Sequence, residues 1–300
     1  MLMVLHKWRK NVGLLYILPW IIGFLGFQLY PLISSLIYSF TDLSTFGAKT
    51  FIGLDNYIYM FTKDPDFYQS LKVTLLYAIM AVPGRVAFAL FIALLLHVQL
   101  KGISVFRTLY YLPSIFGGSV AISVLWRFLF QKEGGAINSV LGLANLGPLD
   151  WFSPTSALIT LAIIPVWQFG SSMVLFLAAL KQVPKELYEA AKMDGAAPVR
   201  VFFNITVPII SPIILFNLII QSVSCLQEFT SAFAVTGGGP NKATYVYAIK
   251  IYQEGFSFFK MGYASALSWF LFFVIMAFTY LIFKSSTYWT YYEDGEGGGV

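Results

Sequence analysis

The long segments without a charged residue constrain this chain more than any other feature. Residues 12–41, 151–180, 201–227 and 261–283 contain no Asp, Glu, Lys or Arg. A helix needs roughly 20 apolar residues to cross the hydrocarbon core of a bilayer, and each of these segments is long enough. Two further segments are comparable: residues 73–96, interrupted only by Arg85, and residues 108–126. These segments predict an all-α integral membrane protein with about six transmembrane helices.

The composition indicates the same class of protein. Charged residues make up 11% of the chain and hydrophobic residues 58%, whereas an average soluble domain carries about a quarter charged residues. So few charges cannot cover a surface that faces only water. The uncharged stretch at residues 134–149 is shorter and rich in glycine, and we expect a loop there rather than a further span.

The distribution of Lys and Arg predicts the orientation in the membrane. With six spans both termini lie on one side, and the segments on that side (1–11, 97–107, 181–200 and 284–300) carry ten Lys and Arg residues. The segments on the other side (42–72, 127–150 and 228–260) have a greater total length and carry eight. Because cytoplasmic loops are enriched in these cations, we expect both termini in the cytoplasm.

Several kinds of site are excluded by what the sequence lacks. Cys225 is the only cysteine, so no disulfide can form within the chain and no cysteine-based metal site exists, and the two histidines, His6 and His97, lie far apart in the sequence. No run of Lys and Arg resembles a nucleic-acid-binding patch. Residues 237–244 come nearest to a phosphate-binding loop but lack the glycine that precedes its lysine. We therefore expect no metal or cofactor on this chain, no nucleic-acid partner, and a tight turn at residues 236–240.

The segment at residues 183–197, after the fourth predicted span, predicts a short amphipathic helix. Pro184 suits a first helical turn, and the acids Glu186 and Glu189 suit the amino-terminal end of a helix. Gly195 can take the left-handed conformation that ends a helix. Periodicity alone also fits an interfacial helix that merely anchors a loop.

The residues of this segment resemble the EAA signature of bacterial importer permeases. The match consists of Glu189-Ala190-Ala191, then Gly195, then Ile205 and Val207-Pro208, where the family usually has Leu in place of Val207. Other segments resemble the carbohydrate branch of that family, the maltose-type and glycerol-phosphate-type permeases: residues 30–31, 39–42, 51–57, 106–113, 166–168, 236–240 and 262–266. The resemblance extends from about Leu14 to Phe283.

This resemblance implies the permease fold of type I ABC importers and one permease half of an ATP-driven sugar importer in a bacterial inner membrane. Residues 1–69 would hold the N-terminus, the first span and an external loop, residues 70–283 the core permease domain, and residues 284–300 a cytoplasmic tail. The implied partners are a second homologous permease, two copies of an ATPase that binds ATP-Mg, and an external sugar-binding protein. The implied contact with the ATPase is a coupling helix with Glu189, Ala190, Ala191, Asp194, Gly195 and Pro208.

Polar side chains within spans are costly in lipid and tend to face a cavity or another helix. The candidates for a sugar path are Trp126, Arg127, Trp167, Gln168, Ser172, Asn217, Gln221 and Glu228. Amide and carboxylate groups suit sugar hydroxyls, and aromatic faces suit the C–H surfaces of a sugar. Because Asn, Gln and Ser also bridge helices in lipid, helix packing is the alternative for each of them.

Arg85 lies in the middle of a span, where this family usually has no charge. One hypothesis is structural: Arg85 pairs with Glu228 or caps the carbonyl groups freed by Pro83. The other is that Arg85 lines a path for an acidic substrate such as a uronate oligosaccharide.

Two other functions fit a membrane protein in general. A membrane glycosyltransferase needs paired acids or a metal cluster near the membrane surface, but the acids of this chain are scattered. A channel or an ion-coupled carrier would show no ATPase-docking segment. Both are therefore weaker hypotheses than the permease.

Overall fold

The computed structural model describes residues 16–44, 47, 49–98 and 101–291. Within these residues no β-strand forms, and one isolated antiparallel bridge joins Thr41 to Phe51. The helices are α1 (Tyr16–Ser39), α2 (Asp55–Thr62), α3 (Phe67–Leu96), α4 (Ile103–Phe116), α5 (Val120–Leu129), α6 (Ala136–Leu143), α7 (Ala157–Trp167), α8 (Gly170–Gln182), α9 (Lys185–Met193), α10 (Pro198–Leu226), α11 (Thr230–Thr236), α12 (Tyr247–Tyr252) and α13 (Met261–Ser286).

Four of these helices, α1, α3, α10 and α13, are long and apolar enough to cross a membrane. They match four of the six spans predicted from the sequence. The other two predicted spans correspond to bent pairs, α4 with α5 and α7 with α8, whose axes turn by 103° and 47°. Six spans result when each bent pair is one span, and the predicted all-α membrane fold is confirmed.

The span predicted at residues 108–126 is formed by the bent pair α4 and α5 rather than by one continuous helix. α4 ends at Phe116, Gly117 is extended, and Gly118 has a φ of 83°. Residues with a Cβ rarely adopt that φ, so the chain turns sharply here before α5 begins at Val120. A hydropathy profile does not reveal the turn, because Gly117 and Gly118 are uncharged and do not interrupt the apolar segment.

The bend between α7 and α8 is stabilised by a serine of α4. Ser114 Oγ donates a hydrogen bond to the carbonyl oxygen of Gln168 and accepts one from the N–H of Ser171, both at 3.0 Å. The helix break leaves both backbone groups without a partner in their own helix, and Ser114 satisfies them. α4 comes this close because Gly170 has no side chain: a Cβ there would lie 2.7 Å from the carbonyl oxygen of Tyr110.

The larger of two compact units comprises Pro65–Lys250 and the chain from Phe273 onward. α3 is its central helix and packs against α7, α8 and α10. The buried face of α3 includes Ala78, Ala81, Ala89 and Ala93. Small side chains on one face let neighbouring helices approach closely, which is how helices associate in lipid.

The stretch at residues 134–149 contains helix α6, so the prediction of a loop there is only partly correct. The buried Asn138 holds this region together. Its Nδ2 donates to the carbonyl oxygens of Lys132 (3.0 Å) and Leu149 (2.9 Å), and its Oδ1 accepts from Trp151 Nε1 (2.9 Å). The side-chain amide of Asn138 therefore pairs with backbone groups before and after α6. No periodic pattern in the sequence indicates this role.

The smaller unit comprises the chain up to Asp64 and Ile251–Phe272. Three segments that are distant in the sequence meet in it. Asn56 Nδ2 donates to the carbonyl oxygens of Ser39 and Thr41, both at 2.9 Å, and the N–H of Gly262 donates to the carbonyl oxygen of Leu43 at 2.8 Å. These bonds fasten the end of α1 to α2 and to the start of α13, so these residues have a structural role.

Candidate functional site

Helix α9 carries most of the residues predicted to couple this chain to an ATPase. It starts directly after Pro184 and ends at Met193, with Glu186 in its first turn. Glu189 and Ala190 are exposed, whereas Ala191 is 8% exposed and faces the protein. The helix therefore presents an acid and a small residue outward while its other face packs on the spans.

The end of α9 is a Schellman motif, the hydrogen-bonded turn that commonly terminates helices at glycine. Gly195 has a φ of 67°, its N–H donates to the carbonyl oxygen of Lys192 at 3.1 Å, and the N–H of Ala196 donates to that of Ala191 at 3.0 Å. Both bonds are those that define the motif. The predicted stop at Gly195 is present, and Asp194 is exposed just before it.

α9 is fastened to the first part of α10. The hydroxyl groups of Tyr188 and Thr206 lie 3.0 Å apart and share a hydrogen bond. Leu187 and Pro208 line a common cleft of about 590 Å³ between the two helices. α10 itself packs against α3 and α8, so α10 connects α9 to the centre of the larger unit.

The aromatic candidates for a sugar path lie together. The rings of Trp126 in α5 and Trp167 in α7 meet edge to face with centroids 5.4 Å apart, and Trp126 also stacks on Phe130. Both tryptophans are half-buried. Arg127, the neighbour of Trp126, is exposed in the last turn of α5 and does not join this cluster.

The amide candidates are divided between two places. Gln221 of α10 donates from Nε2 to Ser172 Oγ of α8 at 3.1 Å, and both residues are buried. Asn217 donates to the carbonyl oxygen of Ile213 one turn earlier, and its Oδ1 has no partner among the described residues. Gln168 lies at the α7–α8 bend. Ser172 and Gln221 therefore bridge two spans, as the packing alternative predicts.

Arg85 makes neither of the structural contacts predicted for it within the part of the chain that the structure describes. Its Nη2 donates to Ser171 Oγ at 3.2 Å, and its Nε is buried without a partner. Glu228 instead accepts a hydrogen bond from the N–H of Ser231 at 2.7 Å, in the first turn of α11. A carboxylate at a helix amino terminus is favourable because it satisfies a free N–H group. The predicted pairing of Arg85 with Glu228 is thus wrong.

Some residues that hold this site together were not identified from the sequence. Ser114, Ser171, Tyr188 and Thr206 each contribute a hydroxyl group to a contact between helices. A lone Ser, Thr or Tyr gives no periodic signal, because its importance depends on what lies opposite. Among the residues that the structure describes, no group of three or more His, Cys, Asp or Glu side chains is placed to hold a metal ion.

Comparison with known proteins identifies the family. Residues 66–291 match the family described as "Binding-protein-dependent transport system inner membrane component". The probable ABC transporter permease protein YesP of Bacillus subtilis is 47% identical over 294 residues, covering 96% of this chain and 95% of that protein. The sn-glycerol-3-phosphate transport system permease protein UgpA of Yersinia pestis is 36% identical over 264 residues, covering 86% and 88%.

The fold is also found among solved structures. The chain aligns with a chain in the crystal structure of a bacterial alginate ABC transporter in complex with an alginate pentasaccharide-bound periplasmic protein. The TM-score is 0.80 at 24% identity, and the alignment covers 93% of this chain and 96% of that chain. The curated relatives are named as transport permeases rather than enzymes, and nothing in the comparisons supports the carrier, channel or glycosyltransferase hypotheses. The chain therefore belongs to the family of binding-protein-dependent transport system inner membrane components, the permease subunits of ABC transporters.

Proposed function

We propose that this chain is one permease half of an ATP-driven importer that moves a saccharide across a bacterial inner membrane, with both termini in the cytoplasm. The proposed complex contains a second homologous permease, two copies of an ATPase that holds ATP-Mg, and an external binding protein that delivers the sugar. The twofold higher density of Lys and Arg on the side of the termini supports this orientation.

The observation that carries the proposal is the geometry of α9. Its exposed face presents Glu189 and Ala190, a sharp turn at Gly195 ends it, and the hydrogen bond between Tyr188 and Thr206 fastens it to α10. A partner that binds the exposed face and shifts α9 would therefore move α10 together with α9. We infer that Glu189, Ala190, Ala191, Asp194, Gly195 and Pro208 form or support the ATPase contact.

Charge reversal at Glu189 tests this proposal. If Glu189 meets a cation of the ATPase, Glu189→Lys loses an interfacial charge pair, which costs about 2 kcal/mol or more. We expect at least about a 30-fold loss of affinity for the ATPase, measured as ATPase copurified per permease, and a matching loss of ATP-driven uptake in vesicles. The matched control is Glu133→Lys, the same change at an exposed residue in a loop that we place on the other side of the membrane.

The outcome is decided by the comparison of the two variants. A loss confined to Glu189→Lys supports the coupling assignment. Wild-type ATPase recovery and uptake in Glu189→Lys contradict it, and equal losses in both variants indicate a general effect of charge reversal instead.

We further propose that the transported saccharide is acidic. Arg85 is a cation within a span, and its guanidinium makes one hydrogen bond among the described residues, from Nη2 to Ser171 Oγ, so further N–H donors remain for an anion. The UgpA relative is named for sn-glycerol-3-phosphate transport, and the structural neighbours belong to a transporter of alginate, an acidic polysaccharide.

Arg85→Gln, with Ser171→Ala as its control, tests the acidic-substrate proposal. Loss of a charge-assisted hydrogen bond costs about 1.5–3 kcal/mol. We therefore expect Arg85→Gln to reduce uptake of uronate oligosaccharides by about tenfold to a hundredfold in a complex that still assembles, and Ser171→Ala to reduce it little. Unchanged uptake in assembled Arg85→Gln ends the proposal. An equal loss in Ser171→Ala assigns Arg85 to helix packing through Ser171.

A further inference from the structure

A second cleft lies between α9 and the ends of the neighbouring spans, and three residues of the proposed coupling region, Tyr188, Gly195 and Thr206, also line it. Its volume is about 650 Å³, and its walls come from the ends of α3 and α8, from α9 and from the start of α10. Leu94, Leu180, Val201 and Phe202 contribute apolar side chains to its lining. Most of the lining is apolar, and its basic side chains are His97 and Lys192.

Basic side chains surround one end of the cleft. His97 and Lys192 line it, and Arg107 donates from Nη2 to the carbonyl oxygen of Leu96, next to His97, at 2.7 Å. Burial, followed by the charges of Arg107 and Lys181, lowers the pKa of His97 below its usual value. The charges of Arg107 and Lys181 make the electrostatic potential around His97 positive.

These basic groups have no acidic partner within the described chain. No ion pair forms between Lys181 or Lys192 and an acid in residues 16–44, 47, 49–98 and 101–291. None of the described residues that line the cleft is acidic. The Nδ1 of His97 and the Nε of Arg107 are buried and also lack hydrogen-bond partners among these residues. Lys192 in the lining and the nearby Arg107 and Lys181 therefore carry positive charge that no acidic side chain of the described residues pairs with.

The cleft lies where apolar spans end. α3 stops at Leu96, α8 ends with Lys181 and Gln182, and the uncharged part of α10 starts at Val201. The boundary between an apolar span and charged residues is the level of the lipid headgroups in a bilayer. Basic pockets between transmembrane helices at this level suit anionic lipid headgroups.

We propose that this cleft binds one acidic phospholipid, with the phosphate group beside His97, Lys181 and Lys192 and an acyl chain along Leu94, Leu180 and Phe202. The positive charge without an acidic partner complements the phosphate, and the apolar wall complements the acyl chain. Because Tyr188 and Lys192 belong to α9, the bound lipid holds α9 against the spans. This role is independent of which substrate the complex transports.

Lipid binding to the whole complex tests the proposal. The assembled transporter is placed in nanodiscs of phosphatidylcholine with increasing phosphatidylglycerol, and native mass spectrometry counts the tightly bound lipids. A basic residue near an acidic lipid surface contributes about 1 kcal/mol, so the Lys181→Gln/Lys192→Gln variant should bind phosphatidylglycerol about 30-fold more weakly. The matched control is Lys185→Gln/Lys284→Gln, which removes two exposed lysines outside the cleft.

Each outcome bears on the proposal. One phosphatidylglycerol retained by the wild type and the control but lost by the Lys181→Gln/Lys192→Gln variant supports it. Equal retention in all three proteins, or equal binding of phosphatidylcholine, overturns it. Displacement of the lipid by millimolar inorganic phosphate shows a site for the free anion, and binding only after removal of the ATPase shows that the partner fills the cleft; either result also overturns it.

Discussion

Substitution of Gly195 tests the coupling assignment through backbone geometry alone. Gly195 has a φ of 67° in the turn that ends α9, and a Cβ built on it meets no atom within 4 Å. A larger residue therefore causes no steric clash with its surroundings, and the cost lies in the backbone conformation. A left-handed conformation costs a residue with a Cβ about 1–2 kcal/mol, which is about a 5- to 30-fold shift in the equilibrium of the turn.

The order of effects among substitutions follows from the same physics. Asn tolerates the left-handed conformation best. The conformation costs Ala about 1–2 kcal/mol, and it costs Val, which is β-branched, more. We expect Gly195→Asn, Gly195→Ala and Gly195→Val to lose increasing amounts of copurified ATPase and ATP-driven uptake. Hydrogen exchange of the amides of Gly195 and Ala196 should accelerate in the same order, because both amides donate hydrogen bonds within the turn.

The matched control is Gly142→Ala in α6, where a Cβ also meets no atom within 4 Å. Alanine is the better helix former by about 1 kcal/mol, so this variant should retain full coupling. Wild-type ATPase recovery and uptake in Gly195→Val would refute the coupling role of this turn. Faster exchange at Gly195 with unchanged uptake would show that the turn is structurally important but not needed for coupling.

Further predictions concern contacts between helices. Gly170→Val forces a side chain into the backbone of α4. Because overpacking costs about 1–3 kcal/mol, we expect the melting temperature of the complex to fall. An unchanged melting temperature would contradict the close approach of α4 to Gly170. A double-mutant cycle of Ser172→Ala and Gln221→Leu should give a coupling energy of about 0.6 kcal/mol in unfolding, whereas a change confined to substrate-stimulated ATPase activity would assign both residues to the sugar path. Tyr188→Phe and Thr206→Val should each weaken ATP-driven uptake. Additive effects of the two would show that their hydroxyl groups do not act together.

The sequence by itself determined the features of this protein that depend on local chemistry. Charge-free segments located the spans, because transfer into lipid penalises each charge independently of its neighbours. Helix α9 and its stop at Gly195 followed from capping preferences, which involve only a few adjacent residues. Helix ends were less accurate: α3 begins at Phe67, six residues before the first residue of the predicted span.

Only the tertiary structure decided how the spans bend and which polar groups meet. The turn at Gly118 and the bend at Gln168 interrupt segments of uniform hydropathy. At the bend, the hydroxyl group of Ser114, from a different helix, pairs with the backbone groups that the break leaves free. Arg85 meets Ser171 rather than Glu228, and Glu228 accepts a hydrogen bond at the start of α11 instead. Such contacts join residues far apart in the sequence, and each forms only where packing places a donor and an acceptor within about 3 Å of each other.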